Sequence, residues 1–231
     1  NNYFEDVYQS GNVHLLRNKA YLPLGFLTNA QILNLNFFDD SNRFQFQNNL
    51  MAAASGVTKN TFNILSGYCL TIVGSDLTLN SQNQTGYCSY ETGNKAGNIS
   101  YRYVSDQEGL FCFYLEQSKR NNLSVYVNGA ETALYTESYS LPQMLSVCNV
   151  IPGDQVEIRF RCSSNQSGTI KLCAAVVDEE TFRESFEILN ASTLKLTTFE
   201  STYVKGSIDC DRDGLLYTSI PQNGNWTAEV D

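Results

Sequence analysis

Pro152-Gly153-Asp154-Gln155-Val156-Glu157-Ile158-Arg159-Phe160-Arg161-Cys162 alternates without a break. Val156, Ile158, Phe160 and Cys162 fall on one side, and Glu157, Arg159 and Arg161 on the other. A period of two over this length specifies a strand with one buried and one wet face. The Pro-Gly-Asp lead-in supplies the turn before it. A second such run starts at Gly168, with Ile170, Leu172, Ala174 and Val176 inward. Upstream, Leu123, Val125 and Val127 share a face, and Asn128-Gly129 marks a tight hairpin turn into 132–139. Phe111, Phe113 and Leu115 alternate against Cys112, Tyr114 and Glu116, and Ile99–Tyr103 alternates as well. Short strands with turn signals at this spacing predict a mainly β chain, an antiparallel jelly-roll-like β-sandwich.

Outward from these strands the pattern changes. Residues 61–73 read as one strand, 80–98 as a long loop rich in Asn, Gln, Gly and Ser, and 1–40 show little period. A helix is expected over 42–56, capped by Asn42 and stopped by Gly56, with Phe46, Leu50 and Ala53 on its buried face. A second helix is expected over 179–189. Asp178 is its N-cap, Glu179 and Glu180 suit the dipole of its first turn, and Phe182, Phe186 and Leu189 form its buried stripe. Strands resume at 194–200 and 203–210. In the tail, Asp213-Gly214 reads as a turn between two strands, and a third strand begins near Asn225. The expected division is a segment 1–60 with one helix packing on the sandwich, the sandwich and its helix over 61–190, and a truncated second β unit over 191–231. A sheet edge left uncovered at Asp231 reads as an excised domain.

Composition narrows the function. The 231 residues are 17% charged and 12% aromatic, with a net charge of −9. That acidity excludes nucleic acid as a partner, because phosphates need a basic footprint. It also opposes direct adhesion to polyanionic chains unless a cation mediates. No apolar run reaches the ~18–20 residues of a bilayer span, so no direct membrane insertion of this stretch is expected. Seven cysteines at irregular spacing, with no C-x-x-C, suit small buried hydrophobes better than a disulfide framework. Cys69–Cys88 and Cys162–Cys173 are the pairs to test. Six N-x-S/T sequons (Asn83, Asn98, Asn122, Asn165, Asn190, Asn225) are what an Asn- and Ser-rich chain holds by chance.

Little in the chain looks catalytic. His14 is the single histidine, and neither G-x-S-x-G nor a phosphate-cradling glycine loop accompanies it. The adjacent carboxylates Asp39-Asp40 and Glu179-Glu180 diverge as sequence neighbours and make poor acid–base pairs. No catalytic residue is therefore assigned. Asp209, Asp211 and Asp213, followed by Gly214, space their oxygens as a calcium loop does, but Ile220 stands where a bidentate Glu belongs. A hairpin turn competes with calcium there and is preferred. Trp226 and Tyr217 are candidates for a carbohydrate-stacking platform, against a core role for the Trp. Tyr101, Tyr103, Tyr114 and Tyr126 are candidates for an exposed aromatic contact patch.

Several segments carry a family resemblance. They are Gly206-Ser207-Ile208, Gly214-Leu215-Leu216-Tyr217-Thr218-Ser219-Ile220-Pro221 and Asn225-Trp226-Thr227-Ala228-Glu229-Val230-Asp231. Tyr21-Leu22-Pro23-Leu24-Gly25-Phe26, Phe46-Gln47-Asn48-Asn49-Leu50, Val125-Tyr126-Val127-Asn128-Gly129 and Ala174-Ala175-Val176-Val177-Asp178 agree. Together they resemble the C-terminal part of bacterial YfhO-type membrane proteins. The resemblance implies a domain on the extracellular face of the bacterial cell membrane. It belongs to a polytopic parent similar to lipid-linked-sugar glycosyltransferases that decorate cell-wall polymers such as teichoic acid. In that family catalytic acids belong to membrane-side loops, so this piece is expected to be non-catalytic and to position acceptor or partner. Its expected partners are its own transmembrane region and a cell-wall glycopolymer. The rival expectation is a free-standing bacterial surface carbohydrate-binding or adhesion β-sandwich protein.

Overall fold

Val156, Ile158, Phe160 and Cys162 are fully buried, as their alternation demands. The computed structural model describes residues 3–36, 42–83, 85–135, 142–221 and 224–230. In chain order come β1 (Phe4–Ser10), β2 (Val13–Asn18), β3 (Gly25–Thr28), a 3-10 turn (Ala30–Asn34) and α1 (Arg43–Ser55). Next are β4 (Phe62–Leu65), β5 (Tyr68–Val73), β6 (Leu77–Gln82), β7 (Tyr87–Thr92), β8 (Gly97–Val104) and β9 (Gly109–Gln117). The strands β10 (Asn122–Val127), β11 (Ala130–Tyr135), β12 (Gln143–Val150), β13 (Gln155–Cys162) and β14 (Ser167–Val177) follow. Last are α2 (Glu179–Ala191), β15 (Lys195–Phe199), β16 (Val204–Ser207) and β17 (Leu215–Thr218).

Two antiparallel sheets make the sandwich. One has the order β11-β10-β13-β8-β5. The other has the order β12-β9-β14-β7-β6, with β4 added beside β14. The chain passes from sheet to sheet at almost every connection, as a jelly roll does. Between the sheets Ile99, Tyr101, Tyr103, Phe111, Phe113, Phe160 and Leu172 form the core. Each such side chain contributes about 1.5–3 kcal/mol by leaving water. The outer face of the second sheet is covered too: Cys112, Tyr114, Cys173, Ala175 and Val177 pack with Phe44 and Phe62. So β9 and β14 are buried on both sides, not on the one side that alternation suggested.

The local punctuation is as read. Asn128 and Gly129 take positive φ at the β10–β11 turn. Asn42 caps α1 by accepting from the Phe44 amide at 2.9 Å, and Gly56 ends it at positive φ. Asp178 caps α2 by accepting from the Thr181 amide at 2.9 Å. Both buried helix faces differ from expectation. Phe44, Asn48 and Ala54 are buried on α1 while Phe46 is partly exposed. Thr181, Ser185 and Leu189 line the hidden side of α2, with Phe182 and Phe186 at its margins.

Five readings are corrected. Residues 4–18 form a hairpin, and 80–98 is no loop: β6 and β7 pair there because β14 offers β7 an edge. The run 61–73 breaks at Ser66-Gly67 into β4 and β5, which join different sheets. The tail is not a hairpin about Asp213-Gly214. β16 pairs with β15, whereas β17 pairs with β3, matching Leu215 to Thr28 and Thr218 to Gly25. Gly214 is not at positive φ; a Cβ there would stand 2.5 Å from the Thr28 carbonyl oxygen. Residues 225–230 are irregular and form no third strand.

By contacts the chain divides into two units, one of Asn1–Leu35, Leu50–Thr58 and Arg183–Asp231, the other of Asn36–Asn49 and Lys59–Phe182. The second unit is the sandwich. The first has its own small core, where Ile32, Ala54 and Leu189 pack with Leu22, Phe26 and Leu50. The tail thus groups with the N-terminal segment, a division different from the expected 1–60, 61–190 and 191–231. Among the described residues no helix is long and apolar enough to cross a membrane.

Candidate functional site

The wet face of the first sandwich sheet carries a groove of about 610 Å³. Its position follows from register. Across the strands, Val73, Asn98, Arg161 and Asn122 stand in one row, and Thr71, Ser100, Arg159, Ser124 and Leu134 in the next. Cys69, Arg102, Glu157 and Tyr126 form the third row. Neighbours in such a row lie one strand spacing apart, about 4.8 Å. The groove runs over the first two rows, and Tyr126 closes one end.

Glu157 organises the third row. One carboxylate oxygen accepts from Ser100 at 2.8 Å and from Arg159 at 2.9 Å; the other accepts from Arg102 at 3.0 Å. Burial works against its charge, but Ser100, Arg159 and Arg102 together outweigh it and hold the carboxyl below the ordinary glutamate range. Arg159, fixed by Glu157, lies with its Cζ 4.3 Å from the centre of the Tyr126 ring. The Tyr126 hydroxyl donates to Glu131 at 3.0 Å. The result is a pre-set guanidinium–aromatic stack beside a row of amides and hydroxyls. Among the described residues no carboxylate, histidine or cysteine lines the groove.

Of the residues singled out by sequence, Tyr126 lies at the groove and the others lie elsewhere. Tyr217 sits on β17 with its ring centre 5.3 Å from that of Phe26, and Trp226 is half-buried in an irregular segment. Asp209, Asp211 and Asp213 do not fit a calcium site. Asp209 is held by the Lys195 ammonium at 2.7 Å, and Asp211 accepts from Ser192 at 3.4 Å. Among the described residues no three His, Cys, Asp or Glu side chains gather as metal ligands. His14 is exposed and bonds Asp6 across the first hairpin. Asp39 and Asp40 lie outside the described residues.

The tyrosine patch is corrected. Tyr101, Tyr103 and Tyr114 are buried because their strands pack on both sides or face the core, and only Tyr126 reaches the surface. Tyr101 donates to the Gly86 carbonyl at 3.1 Å, and burial pushes its hydroxyl pKa well up. All seven cysteines are free. Cys69 points outward from β5 while Cys88 lies in the core. Cys162 faces the core from the first sheet while Cys173 lies on the outer face of the second, so neither suggested pair can close. In sequence the groove residues show as the wet side of 155–162 and as Tyr126. Three charges at alternate positions, in a chain so poor in charge, were the available signal.

No curated protein matches the sequence. Among solved structures, a family 29 carbohydrate-binding module is 16% identical, with 50% of this chain and 87% of that one covered at a TM-score of 0.33. A family 61 module in complex with β-1,4-galactotriose is 11% identical, covering 51% of this chain and 96% of that one at 0.33. The C-terminal family 6 module of a laminarinase from Zobellia galactanivorans is 11% identical, covering 47% and 99% at 0.30. A family model described as bacterial membrane protein YfhO matches residues 1–231, the whole of the sequence. The chain therefore belongs to the bacterial membrane protein YfhO family.

Proposed function

We propose that this chain is a non-catalytic part of a polytopic membrane protein, on the extracellular face of the bacterial cell membrane. In this reading it positions a cell-wall glycopolymer, such as teichoic acid, for a sugar transfer performed elsewhere in the parent. The transfer is of the kind carried out by lipid-linked-sugar glycosyltransferases. Family membership supports the membrane parent. The observation that carries the binding role is the groove. Asn98, Asn122 and Ser124 offer hydrogen bonds along it, the Arg159–Tyr126 stack offers a flat face, and no acid–base group lines it. Polar groups converging on a concave, partly aromatic surface are what sugar recognition needs.

The test is a glycan array probed with the 231-residue chain, run beside assays of sugar transfer and hydrolysis. Saturable binding to glycopolymer fragments is expected, weakened several-fold by Arg159→Ala and without turnover. Transfer or hydrolysis by the chain alone would overturn the reading.

A further inference from the structure

Charge inside the groove runs against charge on the chain. The protein has 24 acidic and 15 basic residues. Yet the groove is lined by two arginines, Arg159 and Arg161, and by no aspartate or glutamate. The two arginines are not equivalent. Arg159 is neutralised by Glu157 at 2.9 Å and committed to the Tyr126 ring. Arg161 is exposed, and no described carboxylate pairs with it. Its cross-strand neighbours are Asn98 on one side and Asn122 on the other, and all three line the groove. A guanidinium flanked by two amides presents a planar fork of donors beside further donors, the arrangement that binds phosphate or carboxylate oxygens.

We propose that Arg161, set between Asn98 and Asn122, is the anion seat of the groove. It selects glycopolymers whose units carry a phosphodiester or a carboxylate, while Arg159 serves sugar contact irrespective of charge. This rests on the reading of the groove as a glycan site. It also revises what composition suggested: local geometry admits a polyanion that the net charge of −9 would repel. A bound anion there needs no bridging cation.

The test is calorimetric titration of the 231-residue chain with three probes: a poly(glycerol phosphate) oligomer, an oligogalacturonate and a neutral galactan oligosaccharide. The charged probes are expected to bind roughly tenfold or more tighter than the neutral one, with affinity falling as salt rises. Arg161→Gln removes that preference, so that charged and neutral probes bind alike; Arg161→Lys keeps part of it. Arg159→Gln weakens charged and neutral probes alike, and Arg212→Gln, in the other unit, changes neither. Thermal melts confirm that the variants fold. Whichever charged probe binds tighter identifies the anion as phosphate or carboxylate. Equal binding of charged and neutral probes, unchanged by Arg161→Gln, overturns the anion seat and leaves the glycan groove standing. Failure of all three probes to bind overturns both.

Discussion

Asn48 and Phe62 hold each other through two hydrogen bonds. The Asn48 Nδ2 donates to the Phe62 carbonyl at 2.8 Å, and its Oδ1 accepts from the Phe62 amide at 2.8 Å. A buried side-chain amide on α1 therefore gives β4 the two bonds that a neighbouring strand would supply. Asn48→Leu fills similar space but strands both backbone groups. A loss of about 2–3 kcal/mol is expected, read as a lower urea midpoint with unchanged slope. Asn48→Asp keeps only the acceptor and buries a charge, so it should be no better.

Glu157 and Asp178 set the acid limit of the sandwich. In both, burial opposes the charge and hydrogen bonds overcome it: Ser100, Arg159 and Arg102 around Glu157, Lys59 and Thr181 around Asp178. Their folded-state pKa values are lowered, so their contribution is full above the unfolded values, about 4. It is lost as pH falls through the lowered folded values. Melting temperature should fall steeply below about pH 4, and Glu157→Gln should flatten that slope. A variant whose acid limb matches the parent's would show that Glu157 is not a linked group.

Legibility in the sequence followed the reach of each interaction. Alternation in 155–162 and the Asn128-Gly129 turn depend on neighbours along the chain, and both stand. The partner of β17 is 187 residues away, and a local Asp-Gly signal cannot name it. Tyr114 is hidden from the sequence for a related reason: one strand's alternation is silent about a helix covering its second face, as Phe44 covers Tyr114. The groove was half legible. Its charges were marked as wet, but the register that aligns Asn98, Arg161 and Asn122 is a property of three strands together.

Thiol reactivity separates the cysteines by burial. Cys69 and Cys210 are exposed; Cys88, Cys112, Cys162 and Cys173 are buried. Burial pushes the Cys112 and Cys162 thiols up to about 12, far from the reactive thiolate. With a thiol-reactive dye, two groups should label quickly in the native protein, Cys148 more slowly, and four only on unfolding. Prior reduction should change neither the mass nor the count; a gain of two thiols on reduction would mean a disulfide.

Gly86 and Gly129 share a backbone conformation, with φ of +82 and +84, but not a setting. A Cβ on Gly129 meets nothing within 4 Å, so Gly129→Ala costs only the conformational strain, about 1–2 kcal/mol. A Cβ on Gly86 would lie 1.7 Å from the Leu172 carbonyl oxygen, a backbone atom on β14 that cannot step aside. The Gly86 carbonyl also accepts from the Leu172 amide at 3.0 Å and from Tyr101 at 3.1 Å, so displacing it breaks both bonds. Gly86→Ala is therefore expected to cost more than about 4 kcal/mol, in the range reserved for disrupted cores. Parallel denaturation of the two variants decides the matter. Equal losses would mean that φ alone sets the cost and that β14 yields at Leu172.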